Sequence, residues 1–183
     1  MARPAKTRRL ADIDPVAFAV AVSQCATDHV AGLICIPERK VNWTVSVLED
    51  LLVYEATALA HYAKAGVRPE TDDIEDILWV VCQTLFSHAM VEHSIVTPDD
   101  IDVDSASDLG IVLLATQARL RIARNERVPV RELACLAGLD PDHVRLLARD
   151  GQMAQGQMAL IAGGVTAKVT KQWLEARGVA LPS

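Results

Sequence analysis

Arg145 and Arg149 stand four residues apart in the run DPDHVRLLARD, with Asp142 and His143 just ahead of them. A guanidinium on an exposed helix can bind guanine bidentately in a major groove or clamp a backbone phosphate. A carboxylate such as Asp142 has three options there: it accepts from the amino group of cytosine, faces away from phosphate, or weakens binding. These side chains can act together only if one element holds them on one surface. With Val144, Leu147 and Ala148 turned inward, about 100° of rotation per residue sends Asp142, Leu146 and Arg149 outward, flanked by His143 and Arg145.

The elements that must position them are legible in Val130 to Arg149, VRELACLAGLDPDHVRLLAR. Counted from Val130, small or apolar residues fall where a helix-turn-helix needs them, at Ala134, Gly138, Val144 and Leu147. Ala134 is small where two helices must cross closely. Gly138 can take the positive φ that ends a first helix and opens the turn. Asp140 followed by Pro141 supplies an N-cap and an N1 proline for the second helix. Leu133, Ala137, Leu139, Val144 and Leu147 form one apolar set shared by both helices. In this class of reader the second helix lies in the major groove.

Beyond the pair comes an uncharged stretch rich in Gly and Gln, then a short amphipathic helix over Thr166 to Arg177 holding Trp173 and Leu174. A helix-turn-helix, a hairpin-like segment and a closing helix with an aromatic and a leucine near its end resemble the small DNA-binding domains of excisionases and MerR-type regulators. The resemblance covers about a third of the chain. It rests on Ala134, Gly138, Val144 and Leu147, on the exit Arg149-Asp150-Gly151, and on VTKQWLEARGV. It implies DNA contacts from Asp142, His143, Arg145 and Arg149, with Lys168 and Lys171 of the closing helix within reach of phosphate. The segment Gln152 to Ala162 departs from the pattern, having no basic residue where a phosphate-gripping wing would carry one. Trp173 reads as core, since one aromatic on an amphipathic helix packs inward.

Other chemistry finds little support. His88 and His93, with Glu92 and His61, are the only candidates for a metal or acid–base cluster. Five residues set the first two about 140° apart around a helix, and HAMVEH lacks the spacing of the zinc-protease motif. The run DDIDVD has neither the glycine nor the terminal glutamate of a calcium loop. There is no Gly-rich phosphate loop and no nucleophile elbow. The expectation is a protein that is not an enzyme, with no metal and no cofactor. Cys25, Cys35, Cys82 and Cys135 are widely spaced in apolar surroundings and read as reduced core residues.

Charge is segregated. The chain has 18 basic and 24 acidic residues, yet from Gln117 onward basic residues outnumber acidic ones by ten to six. Before it the ratio is eight to eighteen, and four of those eight lie in the opening MARPAKTRR. A sign change where the motif begins suits a DNA-binding module joined to an acidic partner-binding domain. At 51% hydrophobic residues the chain can bury a core, and at 4% aromatic it lacks stacking platforms for single strands. The longest charge-free apolar run, Ile77 to Val91, is too short to span a bilayer. No secretory cleavage site follows the basic opening, so a cytoplasmic protein is expected.

The first half reads as three helices. Asp14 and Pro15 start the first, which runs to Gly32. Asn42 caps a second from Trp43, ended by Gly66. Thr71 or Asp72 begins the third, through to His93. A fourth, Leu109 to Arg124, leads into the candidate motif. The fold expected is mainly α: an acidic N-terminal helical bundle over 1–104 for dimerisation or partner contact, then a helix-turn-helix DNA-binding domain over 105–183 with room for a small hairpin. Residues Trp43 to Ala65 and Ile74 to Val91 offer the apolar faces for a homodimer. The function this implies is sequence-specific binding of double-stranded DNA by a transcriptional regulator of bacterial or mobile-element type. The alternative is an antitoxin-like or immunity-like module whose acidic surface covers a basic protein partner.

Overall fold

A computed structural model describes residues 9–33, 38–70, 73–86, 104, 107–149 and 164–181, by backbone alone over 29–49 and at Arg149. The protein is mainly helical. A 3-10 turn, Leu10–Asp12, precedes seven described helices: α1 Pro15–Leu33, α2 Glu38–Ala65, α3 Ile74–Phe86, α4 Asp108–Ala123, α5 Val130–Ala137, α6 Pro141–Arg149 and α7 Ala167–Glu175. None is long and apolar enough to cross a membrane.

The helix ends follow local chemistry. Asp14 caps α1 by accepting from the Ala17 amide at 2.8 Å. Gly66, at φ 73°, follows the last residue of α2, as its sequence suggests. Two starts differ from expectation. α2 begins at Glu38 rather than Trp43, since Glu38, Arg39 and Lys40 are good helix formers, and Asn42 lies within it. The cap before α3 is Asp73, whose carboxylate accepts from the Glu75 amide at 3.0 Å; Thr71 and Asp72 lie outside the described residues.

Two compact units partition the chain. The basic unit comprises Met1–Ile13, Ala63–Val67 and Val103–Ser183; the acidic unit comprises Asp14–Tyr62 and Arg68–Asp102. In sequence the first holds fifteen basic and nine acidic residues, the second three and fifteen. The charge separation is therefore steeper than the linear sequence suggests, because the opening basic cluster and Lys64 both fall in the basic unit.

In the acidic unit α1 packs against α3. Phe18, Ala19, Val22 and Ala26 of α1 are buried, as are Leu52, Ala56, Leu59 and Ala60 of α2 and Ile74, Ile77, Leu78, Val81 and Cys82 of α3. Their spacings of three and four make one stripe per helix. Outside these stripes Val16, Val20, Leu51, Tyr54 and Trp79 are 47 to 59 % exposed. Cys25 is also exposed, against the expectation of a core position; on α1 it sits one residue off the buried stripe that ends at Ala26. Cys35 lies outside the described residues.

The basic unit is built around α4. Ser107 caps it, accepting from the Gly110 amide at 3.0 Å, and every residue from Gly110 to Leu120 is buried. A helix covered on all sides needs partners on all sides; α5, α7 and the 3-10 turn all pack on it. Its one fully buried charge is Arg119. Nε donates to the Ala63 carbonyl at 2.8 Å, Nη2 to that of Lys64 at 2.9 Å, and Nη1 to that of Ala180. Ala63 and Lys64 end α2, where carbonyls lack helical partners and the dipole favours a cation. Lys64 in turn donates to Ile13 at 2.7 Å and Ala11 at 3.3 Å.

Candidate nucleic-acid interface

α5 is held first by its own start. Glu132, in the first turn, is buried, and both its carboxylate oxygens accept from Nε of Arg121 on α4, at 3.1 and 3.2 Å. Leu133 and Ala134 are fully buried, so close crossing falls where the sequence is small. The helix ends at Gly138, with φ 65° and ψ 35°. The Gly138 amide donates to Cys135 at 3.2 Å and the Leu139 amide to Ala134 at 2.9 Å. This is the paired closure of a helix that ends in a left-handed residue.

Asp140 then begins α6. One carboxylate oxygen accepts from the amides of Asp142, at 2.8 Å, and His143, at 3.3 Å, while Pro141 occupies the first helical position, where no amide is missed. Val144 and Ala148 are fully buried and Leu147 half-buried. The opposite side presents Asp142, His143, Arg145 and Leu146, all exposed. Arg145 forms an ion pair with Asp142 three residues before it. Between Asp140 and Leu146 two carboxylates thus face one guanidinium, and this half of α6 carries no net positive charge. Arg149 closes the helix; its side chain is outside the description.

On α7 Lys168 is exposed and Lys171 half-buried. Thr166 precedes the helix, and Trp173 and Leu174 are buried against the core. The Arg177 guanidinium lies 4.3 Å from the centre of the Trp173 ring, a cation–π contact at the rim. Val128, ahead of α5, and Val165, ahead of α7, exchange amide–carbonyl hydrogen bonds of 2.8 Å as an antiparallel bridge. Gly164 makes the approach feasible, since a Cβ there would lie 2.2 Å from the Val128 carbonyl oxygen. The hairpin expected over Gln152 to Ala162 lies outside the described residues.

Sequence reasoning missed Arg9. Its side chain runs over the α5–α6 turn, with Cβ, Cγ and Cδ 3.7 to 3.9 Å from where a Gly138 Cβ would stand. The available signal was the density of basic residues around it. Burial pushes the Cys135 thiol on α5 up to about 11, with Arg131 pulling it down and Glu132 pushing it further up. Such a thiol is a core group rather than a nucleophile. His88, Glu92 and His93 lie outside the described residues, and His61 is exposed. Among the described residues no three His, Cys, Asp or Glu side chains gather as a metal site. Comparison of the chain with known protein families, characterised proteins and solved structures finds no match.

Proposed function

We propose that this protein binds double-stranded DNA in a sequence-specific manner and regulates transcription, as a bacterial or mobile-element regulator does. The observation that carries the reading is the left-handed closure at Gly138, followed by the Asp140 cap. Together they support a helix-turn-helix in which α6 is the recognition helix, with its buried side on the unit and Asp142, His143, Arg145 and Leu146 outward. The positive excess of the unit that holds α6, within an acidic chain, supports a polyanionic partner. The bridge between Val128 and Val165 ties the segment ahead of α7 to the segment ahead of α5, so the closing helix and the helix pair belong to one framework. No catalytic step, metal or cofactor is part of this reading.

A second reading rests on the acidic unit. Fifteen acidic residues against three basic ones, with Trp79, Val16 and Val20 exposed, suit a protein partner: a basic one, as for an antitoxin-like module, or a second copy giving two DNA half-sites. The two readings are compatible. Selection of duplexes from a random pool with the full chain tests the first. One enriched motif, bound about a thousandfold more tightly than its scramble, is the expected result; a pool that stays random defeats it. Sedimentation of the free and DNA-bound chain tests the second copy.

A further inference from the structure

We infer that the outward face of α1 is where two copies of this chain meet, helix against helix across a two-fold axis. The inference rests on the second-copy reading above and gives it a surface. The sequence pointed to α2 and α3 for such a contact; the exposed side chains point to α1.

From Pro15 to Thr27 the chain runs thirteen residues without a charge. One side of this helix is core: Phe18, Ala19, Val22 and Ala26 are buried. The other side is nearly as apolar, yet open. Val16 and Val20 are 59 and 56 % exposed, and Ala17, Ala21, Gln24 and Cys25 are exposed beside them. At about 100° per residue these six take up the half of the helix that the buried four leave free. A helix apolar on both sides is ordinarily covered on both. The carboxylates that bracket the face are engaged, since Asp14 accepts from the Ala17 amide and Asp28 from Gln24 Nε2 at 3.0 Å.

Charge selects the occupant. The unit carries fifteen acidic residues against three basic ones, so a second copy is repelled wherever carboxylates would face each other. Leu51 stands next to the exposed Asp50, and Trp79 one turn from the exposed Asp76; those positions suit a cationic partner. Among the described side chains of the unit, only the α1 face offers a copy about 20 Å of uncharged helix, and nothing on that face would hold a cation. Ala17 and Ala21 are small enough for two helix axes to approach closely, with Val16 and Val20 filling the space between them. A face that meets itself in this way closes at two copies.

The test is sedimentation equilibrium of the full chain without DNA, from about 1 µM to 0.1 mM. Val20→Glu and Ala21→Glu are compared with wild type and with a control on α2, Leu51→Glu. All three positions are exposed, so folded variants are expected, and circular dichroism checks them. The wild-type chain should form dimers. Either α1 variant should raise the dimer dissociation constant about tenfold or more, and Leu51→Glu should leave it within about twofold. Raising the salt from about 0.05 to 0.5 M should leave the wild-type dimer as tight or tighter, because salt screens the repulsion between acidic units. A dimer that loosens with salt overturns the inference in favour of a charged contact. A dimer that the α1 variants spare overturns it while the second-copy reading stands, and equal losses in all three variants reduce the effect to added charge and overturn it too. A wild-type chain that stays monomeric across the range defeats the second-copy reading and the α1 contact together, while duplex selection decides the DNA reading on its own.

Discussion

Glu132 at the start of α5 and Arg121 near the end of α4 face each other so that one Nε–H is shared between two carboxylate oxygens, at 3.1 and 3.2 Å. Glu126 stands 3.6 Å from the same guanidinium. The pair sets how α5 leaves α4, and through Gly138 and Asp140 it sets where α6 lies. Glu132 is 93 % covered, so leaving it without its cation strands a buried charge. Arg121→Met is expected to cost about 2 kcal/mol, and Arg121→Met with Glu132→Leu less than the sum of the single changes. Urea denaturation of the three variants checks this; strict additivity would show that the pair is not coupled.

Gly138 and Gly164 are needed for different reasons, and the difference is measurable. At Gly138 the atoms nearest to an added Cβ are those of the Arg9 side chain, at ordinary contact distance, so the cost is conformational. Gly138→Val is expected to destabilise by about 1 to 3 kcal/mol, and Gly138→Asn by much less, since asparagine tolerates the left-handed region. At Gly164 even alanine collides with the Val128 backbone. Gly164→Ala should open the Val128–Val165 bridge, read as faster amide exchange at Val128 and Val165, and asparagine there should be no better.

On the α6 surface, Arg145→Ala is expected to weaken binding to a selected duplex by about 1 to 3 kcal/mol, with little effect on a scrambled one. Lys171→Ala should weaken both alike and lower the salt slope by about 1. Asp142→Ala frees Arg145 and removes a carboxylate, so it should tighten binding to scrambled duplexes and narrow the gap between the two. Unchanged affinity for Arg145→Ala and Asp142→Ala, measured at moderate salt, would take α6 out of the interface, and unchanged affinity for Lys171→Ala would take α7 out of it.

The cysteines give a readout independent of DNA. Burial pushes the Cys82 thiol up to about 12 and that of Cys135 up to about 11. Raised values favour the folded, protonated thiols below pH 9. Above it the unfolded chain releases protons that the folded chain keeps, and stability falls as pH rises from about 9 toward 12. At pH 8, Cys25 is expected to react with iodoacetamide in the native protein, whereas Cys82 and Cys135 should react only after urea is added. Peptide mapping by mass spectrometry reads both; native labelling of Cys135 would contradict its buried place on α5.

The helix pair was legible because its geometry depends on neighbours in sequence. A glycine at the closure, an aspartate–proline start and apolar residues at fixed intervals act within twenty residues, and Val130–Ala137, Gly138 and Pro141–Arg149 fall where those signals lie. The ion pair between Arg145 and Asp142 was not anticipated, although residues three apart on a helix are neighbours. Arg119 was beyond sequence reading altogether. Its acceptors are main-chain carbonyls some 55 to 61 residues away, and a carbonyl leaves no trace in residue type. Arg9 was seen only as part of a charge count, because its contact with the α5–α6 turn crosses well over a hundred positions of chain.

The clasp of Arg119 on Ala63, Lys64 and Ala180 has a consequence for how the protein is made. The unit that carries α6 draws on residues near 10, near 64 and near 180, so a ribosome delivers its parts far apart in time. Domains of a growing chain ordinarily close in the order they emerge. Here the acidic unit, Asp14–Tyr62 with Arg68–Asp102, is complete in the nascent chain just before α4, which begins at Asp108. The basic unit closes only once residue 180 has been translated. A polypeptide released before Ala180, or one expressed from Val103 onward, would present Arg119 with part of its acceptor set missing, and its α5–α6 pair would hang on a core that had never been finished.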